Sequence, residues 1–130
     1  MDIMQEQELF SWKNIENLVA LERLKLVIDY IPDEKLMHIL EKNRDKGRND
    51  YPVRAVWNSI LVGVVYQHES IASLIRELRR NTRLREMCVF SAFKGINAIP
   101  KNSAYSRFLN KLLTQEKMLE DILQDLVFSL

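Results

Sequence analysis

Val53-Arg54-Ala55-Val56-Trp57-Asn58-Ser59-Ile60-Leu61-Val62-Gly63-Val64-Val65 is the stretch on which the fold turns. Its β-branched residues suit a strand, but the run is too long for one. Val53, Val56, Trp57, Ile60, Leu61, Val64 and Val65 recur at i, i+3, i+4, i+7, i+8, i+11 and i+12, the spacing of one helix face. Pro52 stands where a first-turn proline is tolerated. Ala55, Val62 and Gly63 make the opposite face apolar or small, so this helix is expected at the buried centre of its domain. Gly63 costs on the order of 1 kcal/mol against Ala in a helix, and is read as allowing another helix to approach closely.

Working outward, helical signals continue on both sides. Ile15, Leu18, Val19, Leu24, Val27 and Ile28 form a near-helical pattern from Asn14, which Ile31-Pro32 ends. Asp33 is the expected N-cap of a short helix carrying Leu36, Met37, Ile39 and Leu40. After the central helix, Ser70 caps a segment whose Ile71, Leu74, Ile75 and Leu78 make a buried stripe. Thr82 can cap a short turn through Leu84, Met87 and Cys88. Residues 90–100 read as a loop anchored by Phe90 and Phe93. Asn102 or Ser103 opens a helix packing Tyr105, Phe108, Leu109, Leu112 and Leu113 inward, and Thr114 with Glu116 restarts a last one bearing Met118, Leu119, Ile122, Leu123, Leu126 and Val127. No internal repeat and no β-hairpin pattern is visible. The expectation is an all-α helical bundle with a helix-turn-helix-like basic core and acidic flanking helices.

Length and composition agree with one globular domain: 130 residues, 47% hydrophobic and 28% charged, with three Gly and three Pro. Asn43 to Asp50 holds no large apolar side chain and is the natural linker. This divides the chain into an acidic helical segment (1–43), a polar linker (44–51) and a basic domain with a C-terminal helix (52–130). The longest apolar run, Ile60 to Tyr66, is far below the roughly 20 residues needed to cross a bilayer. The first residues have neither the basic start nor the apolar stretch of a signal peptide. A single cysteine, Cys88, permits no internal disulfide, and with only His38 and His68 beside it no zinc ligand set at finger spacing exists. A reducing, cytoplasmic location without membrane attachment and without a cofactor is expected.

The formal net charge of +1 conceals segregation along the chain. Residues 1–41 balance to −5, residues 42–111 to +9, and residues 112–130 to −3. Most of the central basic residues are arginines, which suits a polyanionic partner. Arg76, Arg79, Arg80, Arg83 and Arg85 extend from the helix that begins after Ser70. Farther on, Asn102, Ser103, Ser106 and Asn110 fall at helical spacing, with Lys101, Arg107 and Lys111 alongside. Short polar side chains flanked by Arg and Lys can read base edges in the major groove while the cations neutralise phosphate. An ordinary solvated helix face would have the same composition. The preceding helix and this one together suggest a helix-turn-helix variant, although residues 81–101 far exceed the usual turn.

Catalysis finds little support. Two-metal chemistry requires converging carboxylates, and the basic block has only Glu69, Glu77 and Glu86 on its expected helices. His68 and Glu69 are adjacent, so on a helix they diverge, and a helix-end histidine is the simpler reading. Cys88 lies between Met87 and Val89 and reads as a core thiol. A helical protein-interaction or oligomerisation module, with acidic ends pairing subunits, is the alternative to DNA binding.

Gly47-Arg48-Asn49-Asp50-Tyr51-Pro52-Val53-Arg54-Ala55-Val56-Trp57-Asn58, Val65-Tyr66-Gln67-His68, the segment from Ser70 to Leu78, Asn81 to Cys88, and Ser106-Arg107-Phe108-Leu109 together resemble the N-terminal domain of bacterial insertion-sequence transposases with a DDE, RNase H-like catalytic domain. Leu24-Lys25 and Ile31-Pro32-Asp33-Glu34-Lys35-Leu36 extend the resemblance over nearly the whole chain. It implies a helical module that recognises double-stranded DNA at the terminal inverted repeats of a mobile element, in the bacterial cytoplasm at the nucleoid, as a possible homo-oligomer. It also implies that the catalytic acids of such a transposase would lie beyond Leu130, so this chain would not itself be an enzyme. One departure stands out: the family usually carries Gly after the Cys, where this sequence has Val89.

Overall fold

The computed structural model describes residues 2–42, 51–90 and 94–129, with side chains from 14–42, 51–90 and 94–125. The linker expected at 44–51 falls outside them except for Tyr51, as does Phe93. Seven α-helices and one 3₁₀ turn make up the described residues, with no strand among them: α1 (Asp2–Tyr30), α2 (Glu34–Lys42), α3 (Val53–Val65), α4 (Ile71–Arg80), α5 (Thr82–Met87), the turn Gly95–Ala98, α6 (Asn102–Leu113) and α7 (Glu116–Ser129). The protein is all-α.

α3 is the hub, packing against α1, α2, α4 and α5. Its first two and a half turns are mostly buried, at Val53, Ala55, Val56, Trp57, Asn58, Ser59, Leu61 and Val62, with Arg54 partly exposed. The expected stripe is fully buried at Val53, Val56, Trp57 and Leu61 and is less so at its other positions. Ile60 and Val65 are half-buried and Val64 is exposed, because this end of the helix emerges from the bundle. One continuous core joins Leu21 and Leu24 of α1, Leu36 and Leu40 of α2, and Tyr105 and Phe108 of α6 to α3.

Two buried polar contacts join α3 to its neighbours. The Asp33 carboxylate, 3% exposed, accepts hydrogen bonds through Oδ2 from Trp57 Nε1 at 2.7 Å and Arg54 Nη1 at 2.8 Å. A single acidic side chain ahead of α2 thus fixes the acidic segment on the central helix. Ser59 Oγ donates to the Val56 carbonyl at 2.6 Å and shares a hydrogen bond of 2.7 Å with the Tyr105 hydroxyl, which fastens α6.

Several boundary expectations need correction. Ile15, Leu18 and Val19 of α1 are exposed, so helical spacing there does not mark a buried stripe. Ser70 caps α4 as expected, accepting from the Ser73 amide. α5, however, is capped by Asn81, whose Oδ1 accepts from the Leu84 amide, so Thr82 is its first residue. α6 starts from Lys101 without a side-chain cap, and Asn102 and Ser103 lie inside the helix. Leu113 is exposed on α6, and Leu123 on α7. Thr114 donates its hydroxyl to the Lys111 carbonyl, closing α6 instead of opening α7. The segment after Phe90 contains the 3₁₀ turn.

α3 and α5 end alike, each with a residue in the left-handed region: Gln67 at φ 56° and Val89 at φ 63°. His68 N donates to Gly63 O and Gln67 N to Val64 O, while Phe90 N donates to Arg85 O and Val89 N to Glu86 O. These paired bonds are Schellman motifs, which glycine normally completes because it has no Cβ to clash. At Gly63 an added Cβ would lie 3.6 Å from Leu74, an ordinary contact, so close helix approach does not require glycine there.

Candidate nucleic-acid interface

α6 separates its residues by face as its periodicity predicts. Tyr105, Phe108 and Leu112 are buried, while Asn102, Ser103, Ser106, Arg107 and Asn110 are exposed. The buried side carries the position of the exposed one: burial pushes the Tyr105 phenol above its ordinary pKa, so it remains a neutral hydrogen-bonding anchor to Ser59. Lys101 is exposed at the start of the helix, where amides of the first turn lack a side-chain acceptor. A cation beside open helix-terminal N–H groups makes a favourable surround for a phosphate oxygen. Lys111 is half-buried with a polar interaction of its own, unlike the residues of the exposed face.

α4 packs against α6 and against α5, so the arginine-bearing helices belong to one packed unit. Arg76, Arg79 and Arg83 are exposed and form no ion pair among the described residues. Arg80 is exposed but contacts Glu77 Oε2 through Nε at 2.7 Å and Nη2 at 2.6 Å. Arg85 also has a structural task. Its Nη1 donates to the Leu78 and Arg79 carbonyls at 2.7 and 2.8 Å, and its Nη2 to Thr82 Oγ1 at 3.1 Å. The guanidinium therefore closes the C-terminus of α4 and braces the joint with α5, satisfying carbonyls that a helix end leaves open. Sequence spacing gave no sign of this. The Ser59–Tyr105 bond was equally hidden, since it joins residues 46 apart.

The residues weighed for catalysis behave structurally. Cys88 is fully buried, and burial pushes its thiol up to about 12, so it is an unreactive core thiol. His68 forms a 2.9 Å hydrogen bond through Nδ1 with Ser73 Oγ at the start of α4. Among the described residues, no three Asp, Glu, His or Cys side chains converge as a metal site would require. No described helix is long and apolar enough to cross a membrane.

The chain is thus an all-α bundle built on a buried hub helix, with arginines on two helices and a polar, basic face on a third. Its family is more definite: the family model for Transposase domain (DUF772) matches residues 9–111, and the chain belongs to that family. The matched region takes in most of α1, α2 to α5 and nearly all of α6. No curated protein and no solved structure matches the chain.

Proposed function

We propose that this chain is a DNA-recognition domain of a transposase, binding the terminal inverted repeats of its mobile element. The observation that carries the reading is the division of α6, whose Asn102, Ser103, Ser106, Arg107 and Asn110 face solvent while Tyr105 and Phe108 anchor the helix in the core. In this reading α6 enters the major groove, with Asn and Arg reading base edges. Arg76, Arg79, Arg83 and Lys101 hold phosphates, and α4 acts as the supporting helix of a helix-turn-helix variant. Membership of a transposase family supports a role in transposition. Strand cleavage would rest on acids outside this chain, and this chain would bind without cutting, at the bacterial nucleoid and without a cofactor of its own.

Fluorescence anisotropy tests the proposal with duplexes carrying the element's ends and with scrambled duplexes. The four phosphate-neutralising cations give a slope of about −3.6 for log affinity against log salt. A slope near zero, or equal affinity for both duplexes at every salt concentration, refutes sequence-specific recognition. Purified chain should leave the same duplexes uncut in Mg²⁺ or Mn²⁺, and metal-dependent nicking lost on substitution of Glu69, Glu77 or Glu86 would restore an enzymatic reading.

A further inference from the structure

α1 leaves an apolar seam uncovered. It is 29 residues long, about 43 Å at 1.5 Å per residue. Ile15, Val19, Leu26 and Tyr30 are 52%, 45%, 44% and 65% exposed, although its other side buries Leu21 and Leu24 in the core. Ile15, Val19, Glu22 and Leu26 follow one another at intervals of four, three and four, the alternation of a heptad seam. Glu16 and Arg23 each follow a seam residue by one position, so they lie on the same edge of this face, one heptad apart. Neither forms an ion pair among the described residues. That edge borders a groove of about 500 Å³ between α1 and the end of α3, lined by Glu16, Val19, Ala20, Arg23, Val65 and Tyr66 among others.

We infer that this face binds a second copy of the same chain, α1 against α1, antiparallel about a two-fold axis at the level of residues 20 and 21. A two-fold interface must be complementary to itself. In this register Ile15 meets Leu26 of the second copy and Val19 meets Glu22. Like edges face one another in an antiparallel pair, so Glu16 meets Arg23 of the second copy, and symmetry repeats the ion pair. A slip of one heptad either way sets Arg23 against Arg23 or Glu16 against Glu16, so charge selects the register as well as the partner. The arrangement goes beyond DNA recognition by one chain, since it would pair two DNA-binding units with twofold symmetry.

Sedimentation velocity without DNA, over a wide range of concentration, tests the inference. The wild-type chain should pass from monomer to dimer. Glu16→Arg and Arg23→Glu each place like charges opposite one another and should weaken dimerisation by about tenfold. An equimolar mixture of the two variants should form a heterodimer more tightly than either variant self-associates, because both symmetry-related contacts again pair opposite charges. These are exposed helix positions, and unchanged circular dichroism would verify that each variant is folded. A wild-type chain that stays monomeric, single variants that dimerise like wild type, or a mixture no tighter than its components would each overturn the assignment.

Discussion

Replacing Val89 with glycine should stabilise the protein, although it removes three carbon atoms. Val89 is the left-handed residue of the motif that ends α5, with φ 63° and 58% of its surface exposed. Left-handed backbone costs an ordinary L-residue about 1 to 2 kcal/mol, and a β-branched side chain belongs at the upper end of that range. The small buried area of an exposed valine offers little in return. Glycine removes the clash but has a more flexible unfolded chain, which costs about 0.5 to 1 kcal/mol. The difference is a net gain of about 0.5 to 1.5 kcal/mol, or roughly 2 to 6 °C in melting temperature for a domain of this size. Urea and thermal unfolding would measure it, with Val89→Ala as the control that keeps Cβ but removes the branching. The order Gly above Ala above Val is expected. A Val89→Gly protein no more stable than wild type, with an unchanged denaturant slope, would refute the idea that this position stores backbone strain.

Asp33→Ala should cost about 2 to 3 kcal/mol in urea unfolding, chiefly because buried Trp57 Nε1 loses its acceptor, while the partly exposed Arg54 can recover water. A loss below half a kcal/mol would show that the contact does not hold the acidic segment to α3. Stability should also fall in alkali. The folded state holds the Cys88 proton up to about 12 against 9.0 for the free thiol, so the Cys88 contribution is complete below about pH 9 and disappears as pH rises toward 12. Cys88→Ala should flatten that decline just above pH 9, and an identical pH profile would contradict the assignment. On DNA, Arg107→Ala should cost about 1 to 3 kcal/mol on element ends and much less on scrambled duplex, whereas Arg79→Ala should weaken both alike. Equal losses for Arg107→Ala on the two duplexes would remove α6 from the groove.

Much of this fold follows from local chemistry. The spacing of Val53, Val56, Trp57, Ile60 and Leu61 identifies α3 because a buried helix face repeats every 3.6 residues. The same rule divides α6 into a core side at Tyr105 and Phe108 and a polar side at Ser106 and Arg107. Ser70 announces α4, since its side chain need reach only three residues along the chain to cap the helix. Segregation of charge, a property of residue order alone, points to the basic centre of the chain.

The exceptions share a cause. Asn81 and Thr82 are both competent N-caps, and only the path from α4 into α5 decides that Asn81 is used. Arg85 reads as one more cation until the turn of that path brings the Leu78 and Arg79 carbonyls within reach of its guanidinium. Helical spacing puts Ile15, Val19 and Leu24 in one pattern, but which side of α1 meets α3 is settled by the whole bundle, which takes Leu21 and Leu24 inward and leaves Ile15 and Val19 outside. Val89 adopts a conformation contrary to its own preference because the bonds from Val89 and Phe90 back to α5, with Phe90 buried in the core, outweigh it. Periodicity and capping act over a turn or two of chain, so the sequence alone determines helices and their candidate faces. Burial and hydrogen-bond partners depend on distances closed between remote segments, and these only the tertiary structure decides.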